Sequence, residues 1–406
     1  MPERIFLFDL DGVLIKPGGY RAAVRATLNY FASRLGVGPQ VLDEETLSIF
    51  ESLGITSEWD MVPISLAILL DQISAMMPTR SEWMTINDAI KEVGAASIQI
   101  ETVDFETIIR KLPPYLALPM APSDTILQIF NQSDTNELFP HLKNMGILRD
   151  LFGQTRDLLQ CPTSSVFQNY ILGGRVFTET YNTQAIFSSE SYLDQFDSVL
   201  ISEVWRIRIQ REIEAHFIKI AAITARPSLP PTKLIDTIND YSPEAEQAIR
   251  LAGFVGIPFI GYGSLQYLAQ QLHQSPELFL KPSPVQALAA LRVAMGDQPW
   301  PALLEAARIA GVSVQNINLG QKEQPIDLFK PGRSISIHIF EDSPIGIQAT
   351  QAAAQILMKL GLDIHLSAWG ITQNKDKKAA LQELGAQVFC DVNQALRAAF
   401  EIEMKS

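Results

Sequence analysis

Cysteine is nearly missing from this chain: Cys161 and Cys390 are the only two in 406 residues. That excludes a disulfide framework, and both thiols are expected as small core residues. Positive charge is also short. With 32 lysines and arginines against 45 aspartates and glutamates, the formal net charge is −13, a balance that disfavours nucleic acid and anionic membrane as partners while leaving room for a local basic site that binds phosphate. Long apolar runs are missing too. The best stretch, Met61–Leu70, contains Pro63 and Ser65 and is read as far short of a membrane span. The opening residues Met1-Pro2-Glu3-Arg4 lead directly into an apolar strand, so no signal peptide is expected and the cytoplasm is the default location. There is no internal repeat or low-complexity tract. Apolar residues are plentiful, at 47% of the composition, enough for two or three domains with buried cores.

Four segments carry chemistry. Ile5-Phe6-Leu7-Phe8 is an apolar run that stops at Asp9-Leu10-Asp11-Gly12-Val13. Such a run reads as a buried strand of a parallel sheet, whose carboxyl end is where open α/β sheets place their sites. In an extended chain residues i and i+2 point the same way, so Asp9 and Asp11 are expected to address one substrate, with Gly12 allowing a tight turn. An ordinary Asp-Gly turn accounts for the segment equally well when it is read alone. Phe217 to Ile223 is a second apolar strand, ending at Thr224-Ala225-Arg226, where a hydroxyl and backbone N–H groups can hold phosphate oxygens; Thr224 also reads as a turn or cap residue. Leu278-Phe279-Leu280 delivers Lys281 before a helix start in which Ser283 is expected as N-cap and Pro284 as first helical residue. Finally, the strand Ser336–Phe340 is closed by Glu341-Asp342, and Ser343-Pro344 begins a helix, near whose N-terminus acids are favourable in any case.

Taken in order, acid pair, hydroxyl, lysine and acid pair resemble the four motifs of the haloacid dehalogenase superfamily. Asp9 through Val13 matches the first motif, Thr224-Ala225-Arg226 the second, Lys281 the third and Glu341-Asp342 the fourth, the last in the form seen in β-phosphoglucomutase-like members. The wording of Lys281-Pro282-Ser283-Pro284 and of Glu341 through Gly346 is close to that subgroup, and the resemblance covers residues 1–16 and roughly 195–400. It implies a Rossmann-like core and a Mg²⁺-dependent phosphatase acting on a small phosphorylated metabolite. Asp9 is the implied nucleophile and Asp11 the general acid and base. Gly12, Thr224, Ala225, Arg226 and Lys281 are the implied phosphate contacts. Asp9, Asp11 through its carbonyl, Glu341 and Asp342 are the implied metal set. The chemistry supports these residue types: phosphoryl transfer needs a nucleophile, neutralised phosphoryl oxygens and a proton for the leaving oxygen. Dehalogenases of the superfamily use neither a second acid nor a metal, so Asp11 and the Glu341-Asp342 pair point to phosphate. A phosphomutase with the same core is an alternative, separated by hydrolysis of esters without a bisphosphate activator. A non-enzymatic interaction module on this fold is another.

The distance from Asp9 to Thr224 exceeds any one crossover, so a domain is inserted after the first motif. Pro17-Gly18-Gly19 is a natural hinge, and Val24, Leu28, Phe31 and Leu35 recur at helical spacing. Further helices are expected near 44–53, 65–76, 82–92 and 164–180, with Pro113, Pro114, Pro119 and Pro122 interrupting the middle as loop. The expected architecture is a doubly wound parallel-sheet core, residues 1–16 and 191–406, with a mostly α-helical cap, residues 17–190, acting as a mobile, substrate-choosing lid. Leu200, Val204 and Ile207 are expected to open a helix that leads into the Phe217 strand. Two further insertions, 226–241 and 296–332, flank the second and third motifs, and the latter holds an expected helix near Pro301–Ala307. Arg226 is expected either as an anion contact or as a structural surface residue, and His338 as a packed strand residue.

Overall fold

The computed structural model describes residues 2–403 apart from 78–81, 97, 99, 101–102, 117–119, 133–136, 233–237 and 315–327. Pro119 and the middle of both expected insertions therefore lie outside the described residues. The chain forms two compact units, Met1–Pro17 with Asp197–Ser406, and Gly18–Phe196.

The first unit is α/β. Its strands are β1 (Glu3–Asp9), β2 (Ile15–Lys16), β3 (Ser198–Val199), β4 (Lys219–Ile223), β5 (Phe259–Ile260), β6 (Ser334–Glu341), β7 (Asp363–Ile371) and β8 (Gln387–Phe389). Six of them form a parallel sheet in the order β5-β4-β1-β6-β7-β8, and β2 pairs with β3 antiparallel. The alternation of side chains along an extended strand decides what each face buries. Ile5 and Leu7, with Ile337 and Ile339, pack into one layer against helices Tyr262–Leu272, Val285–Ala294 and Pro299–Ile309. Phe6 and Phe8, with Phe340 and Trp369, pack into the other against helices Glu244–Leu251 and Val392–Glu403. Aromatic stacking fixes the second layer: the Phe8 and Phe340 rings lie 4.7 Å apart at 14°. Each such side chain contributes about 1.5–3 kcal/mol through its burial. A strand buried on both faces must be apolar throughout, which is why β1 reads as an unbroken run.

From β1 the order runs outward through β4 and β5 on one side and through β6, β7 and β8 on the other. The carboxyl ends of β1, β4 and β6 therefore flank the point where the winding reverses, the usual place for a ligand crevice.

Several local expectations are corrected here. Leu278 closes a 3₁₀ turn, Pro276–Leu278, so the short apolar run that delivers Lys281 begins in a turn. Pro284 is the N-cap of the next helix, and the Ser283 hydroxyl stands 3.5 Å from the Val285 N–H. The helix before β4 is Glu203–Glu214, with Val204 74% exposed; Phe217, 65% exposed, precedes the strand. The helix turns Ile209 into the core, with Trp205 and Ile213 packed against the same cluster. Cys390 is exposed, whereas Cys161 is buried.

The second unit is helical: Gly19–Arg34, Glu44–Ser52, Glu58–Met76, Ile86–Ala96, Phe105–Ile109, Pro122–Gln132, Met145–Phe152, Pro162–Tyr181 and Tyr192–Phe196. Val24, Leu28, Phe31 and Leu35 are all buried. Pro122 opens a helix where loop was expected, the first helical turn being the place a proline fits. Glu58–Met76 runs through Pro63, with Asp60 to Asp71 buried without interruption. This 19-residue helix, with an 18-residue window of mean hydropathy 1.2, is long and apolar enough to cross a membrane by length and composition only. Its most apolar window is 72% buried inside the structure, as the core helix of its unit is. The backbone of Pro162–Tyr181 breaks at Gly173, φ +75°, where a Cβ would come within 2.6 Å of the Ser191 nitrogen. The Tyr192 and Tyr170 rings lie 4.9 Å apart, tilted by 52°, and Leu193 is buried; the unit ends at Phe196, later than the division at 190.

Candidate active site

Asp9, the last residue of β1, and Glu341, the last of β6, are delivered by neighbouring parallel strands. With Asp342 they place carboxylate oxygens within 4.8 Å of one another. Lys281 stands among them: its Nζ is 3.0 Å from Asp9 Oδ1 and donates to Glu341 Oε2 at 2.7 Å. The other oxygen of the fully buried Glu341 accepts from the hydroxyl and N–H of Ser343, at 2.7 and 3.2 Å. Glu341 thus anchors the lysine and the start of the helix Pro344–Lys359, whose N-cap is Ser343.

The electrostatics follow from burial and an excess of acids. Burial, then the neighbouring Glu341, pushes Asp9 well above the usual carboxylate range despite Lys281. Burial would lower Lys281, but Asp9 and Glu341 outweigh it and raise the ammonium above its ordinary value. Burial also raises Asp342, opposed by Lys377, whose Nζ donates to Asp342 Oδ2 at 2.9 Å. Three acids against one buried lysine leave negative charge that a cation would balance.

Gly12 occupies the left-handed region at φ +77°, and a Cβ there would lie 2.6 Å from Asp342 Oδ2. Only a bare Cα lets this loop approach the acid so closely. The Gly12 N–H donates to the Ile15 carbonyl at 2.8 Å, within its own loop.

Asp11 does not join the acid cluster. Its carboxylate accepts from Arg226 Nε at 3.0 and 2.9 Å and from Nη2 at 2.5 Å. The Arg226 side chain is 1% exposed, and its Nη1 lies 2.8 Å from Asp197 Oδ2. Arg226 is therefore not a surface residue: its guanidinium is buried between Asp11 and Asp197. Thr224 is buried at the end of β4, its hydroxyl accepting the Arg226 N–H at 3.0 Å, and Ala225 is exposed beside it.

Three residues here escaped the reading of the sequence. Asp197 lies in a polar stretch with no motif around it. Lys377 sits in the first turn of helix Lys375–Glu383, capped by Asn374, and looks like any solvated lysine. Gln286 donates to the carbonyls of Thr224 and Ile260, at 2.8 and 2.9 Å, tying the helix after Lys281 to the ends of β4 and β5. A glutamine inside the buried run Val285–Val293 was its available signal.

No protein-family model matches the chain, and no curated protein matches it. A solved structure, the X-ray structure of a Northeast Structural Genomics Consortium target, is similar over 100% of both chains, with a TM-score of 0.58 at 15% identity. That likeness shows the fold alone.

Proposed function

We propose that this chain is a Mg²⁺-dependent phosphatase of the haloacid dehalogenase type, hydrolysing a small phosphorylated metabolite through an aspartyl-phosphate on Asp9. The observation that carries this reading is the buried Lys281 ammonium bridging Asp9 and Glu341 at the carboxyl ends of two adjacent parallel strands, with Asp342 in the same carboxylate cluster. In the first step an Asp9 oxygen bonds to phosphorus while the ester P–O bond breaks. The leaving oxygen keeps the electron pair and takes a proton from Asp11. In the second step water adds to phosphorus, giving its proton to Asp11, and the bond to Asp9 breaks to release inorganic phosphate. Lys281 offsets charge on the phosphoryl oxygens and steadies Asp9. The exposed Ala225 and the Thr224 hydroxyl at the end of β4 suit the phosphoryl group.

The donor set suits a hard divalent cation: three carboxylates, no sulfur or imidazole, and a loop that only glycine lets come so near Asp342. Asp9 and Asp342 would hold Mg²⁺, with Glu341 supporting from behind. When bound, the cation draws charge from the phosphoryl oxygens. The helical unit inserted after the first motif is proposed as the cap that selects the substrate, since phosphate is common to all candidates and selection must come from elsewhere.

The test is a panel of phosphate esters with and without Mg²⁺, together with acid quenching to trap phosphorylated protein. Phosphate release that needs Mg²⁺, with label retained on protein and lost in Asp9→Asn, is the expected result. Release without metal, or label that persists in Asp9→Asn, would overturn the assignment.

A further inference from the structure

The α/β unit contains a second charged cluster whose arrangement the proposed chemistry does not by itself require. Asp11, the acid and base of that reaction, has a side chain 36% exposed, so one side of it meets solvent. Its other side is gripped by Arg226 through both carboxylate oxygens. Behind the guanidinium lies Asp197, with a side chain 0% exposed and Oδ2 2.8 Å from Arg226 Nη1. The three form a line from solvent inward: acid, arginine, acid.

We propose that Arg226 and Asp197 are positioning residues for Asp11, Asp197 fixing the guanidinium and the guanidinium fixing the Asp11 carboxylate where a leaving oxygen can reach it. This inference rests on the phosphatase reading. Its physical basis is twofold. A half-exposed aspartate in a loop samples several rotamers, and a planar two-donor fork holds it in one. A buried guanidinium needs a buried counter-charge, since removing a partner leaves an uncompensated charge. Asp197 supplies it, so Arg226 can stay buried while Asp11 stays available on its open side. The backbone adds a brace: the Thr224 hydroxyl accepts the Arg226 N–H, and the Arg226 carbonyl accepts the Tyr262 N–H at 3.1 Å.

The test compares two esters in the full chain with Mg²⁺: p-nitrophenyl phosphate, whose leaving oxygen needs little protonation, and glycerol phosphate, whose leaving oxygen needs a proton. Stopped-flow bursts report phosphorylation and the later steady state reports dephosphorylation. In Arg226→Ala, kcat for glycerol phosphate is expected to fall on the order of 100-fold with KM little changed, while the p-nitrophenol burst falls far less. Asp197→Asn, which keeps the side chain's volume, should show the same split at about a tenth of that size. Added guanidinium should restore part of the lost rate in Arg226→Ala. Thermal melts accompany each variant. Equal loss with both esters, or no rescue together with a lowered melting point, makes the cluster a structural tie and overturns the inference. A gain on glycerol phosphate also overturns it, because Arg226 would then restrain Asp11. If the parent protein turns over neither ester, the phosphatase reading falls first and this inference with it; if the parent turns over both and the split is missing, this inference alone falls.

Discussion

Both units bury acids, and they treat them differently. In the helical unit Asp60 accepts from the Ser123 N–H at 3.2 Å and from Arg156 Nη2 at 2.7 Å, and Asp71 accepts from the His141 and Leu142 N–H groups at 2.7 and 3.0 Å. Each is satisfied by backbone donors and a part-exposed partner, the arrangement of a structural tie. In the α/β unit, Asp9, Glu341 and Asp342 share one buried lysine and a half-exposed one. Burial, then the neighbouring Glu341, raises Asp9 well above its ordinary value, and burial raises Asp342 against the pull of Lys377. The difference teaches that burial alone does not mark a functional acid. What sets the proposed site apart is three acids gathered around one buried lysine.

The largest expected effect breaks this comparison at its centre. Asp9→Asn should abolish turnover, by about a thousandfold or more, roughly 4 kcal/mol of barrier, while the melting temperature holds or rises because a crowded charge is removed. Phosphate release and a thermal melt check it. Activity within about tenfold of the parent, some 1.4 kcal/mol, is too little for a covalent nucleophile.

A buried histidine sets the next scale. His338, between Ser336 at 3.1 Å and Trp369 Nε1 at 3.3 Å, is pushed from 6.5 down to about 4 by burial and then by Arg4. Its folded value lies below its unfolded one, so protons favour the unfolded chain between the two. The stability it contributes is full above about pH 6.5 and is lost as the pH falls toward 4, by about 3 kcal/mol in all. Urea unfolding of the parent and His338→Phe across that window should differ in slope by this amount. Parallel curves would mean that the folded state protonates this ring as readily as water does.

Metal binding sharpens the contrast. Asp342→Ala should weaken Mg²⁺ binding by about a hundredfold, roughly 2.7 kcal/mol, in titration calorimetry, and Lys377→Gln should tighten it by about threefold, since a cation then leaves the site. Unchanged affinity in Asp342→Ala would remove that residue from the metal set. The smallest effect belongs to the helical unit. Asp71→Ala should cost about 2 kcal/mol, because the buried carboxylate that accepts from the His141 and Leu142 N–H groups is removed, and should leave Mg²⁺ affinity as it was. A loss of metal affinity in that variant would blur the division between structural ties and chemical acids.

Local pattern carried much of this protein. The unbroken apolar run of β1 and the acids that end β1 and β6 are properties of short segments, and so are the glycine at position 12 and the helical spacing from Val24 to Leu35. Short-range sterics and the alternation or periodicity of side chains write them directly into the chain. What only the tertiary structure decided lies in pairings between distant segments. Arg226 meets Asp11 across 215 positions because β4 and β1 are neighbours in the sheet, and nothing near Arg226 in the chain names Asp11 or Asp197 as its partner. Asp197, Lys377 and Gln286 acquire their partners in the same way. Val204 and Phe217 turn outward, and the helix through Pro63 holds, because packing at those places outweighs local preference. The sequence by itself determined the strands β1, β4 and β6 and the carboxylates that end β1 and β6; strand order decided which charges meet, because a side chain's partner is set by distance in space and not along the chain.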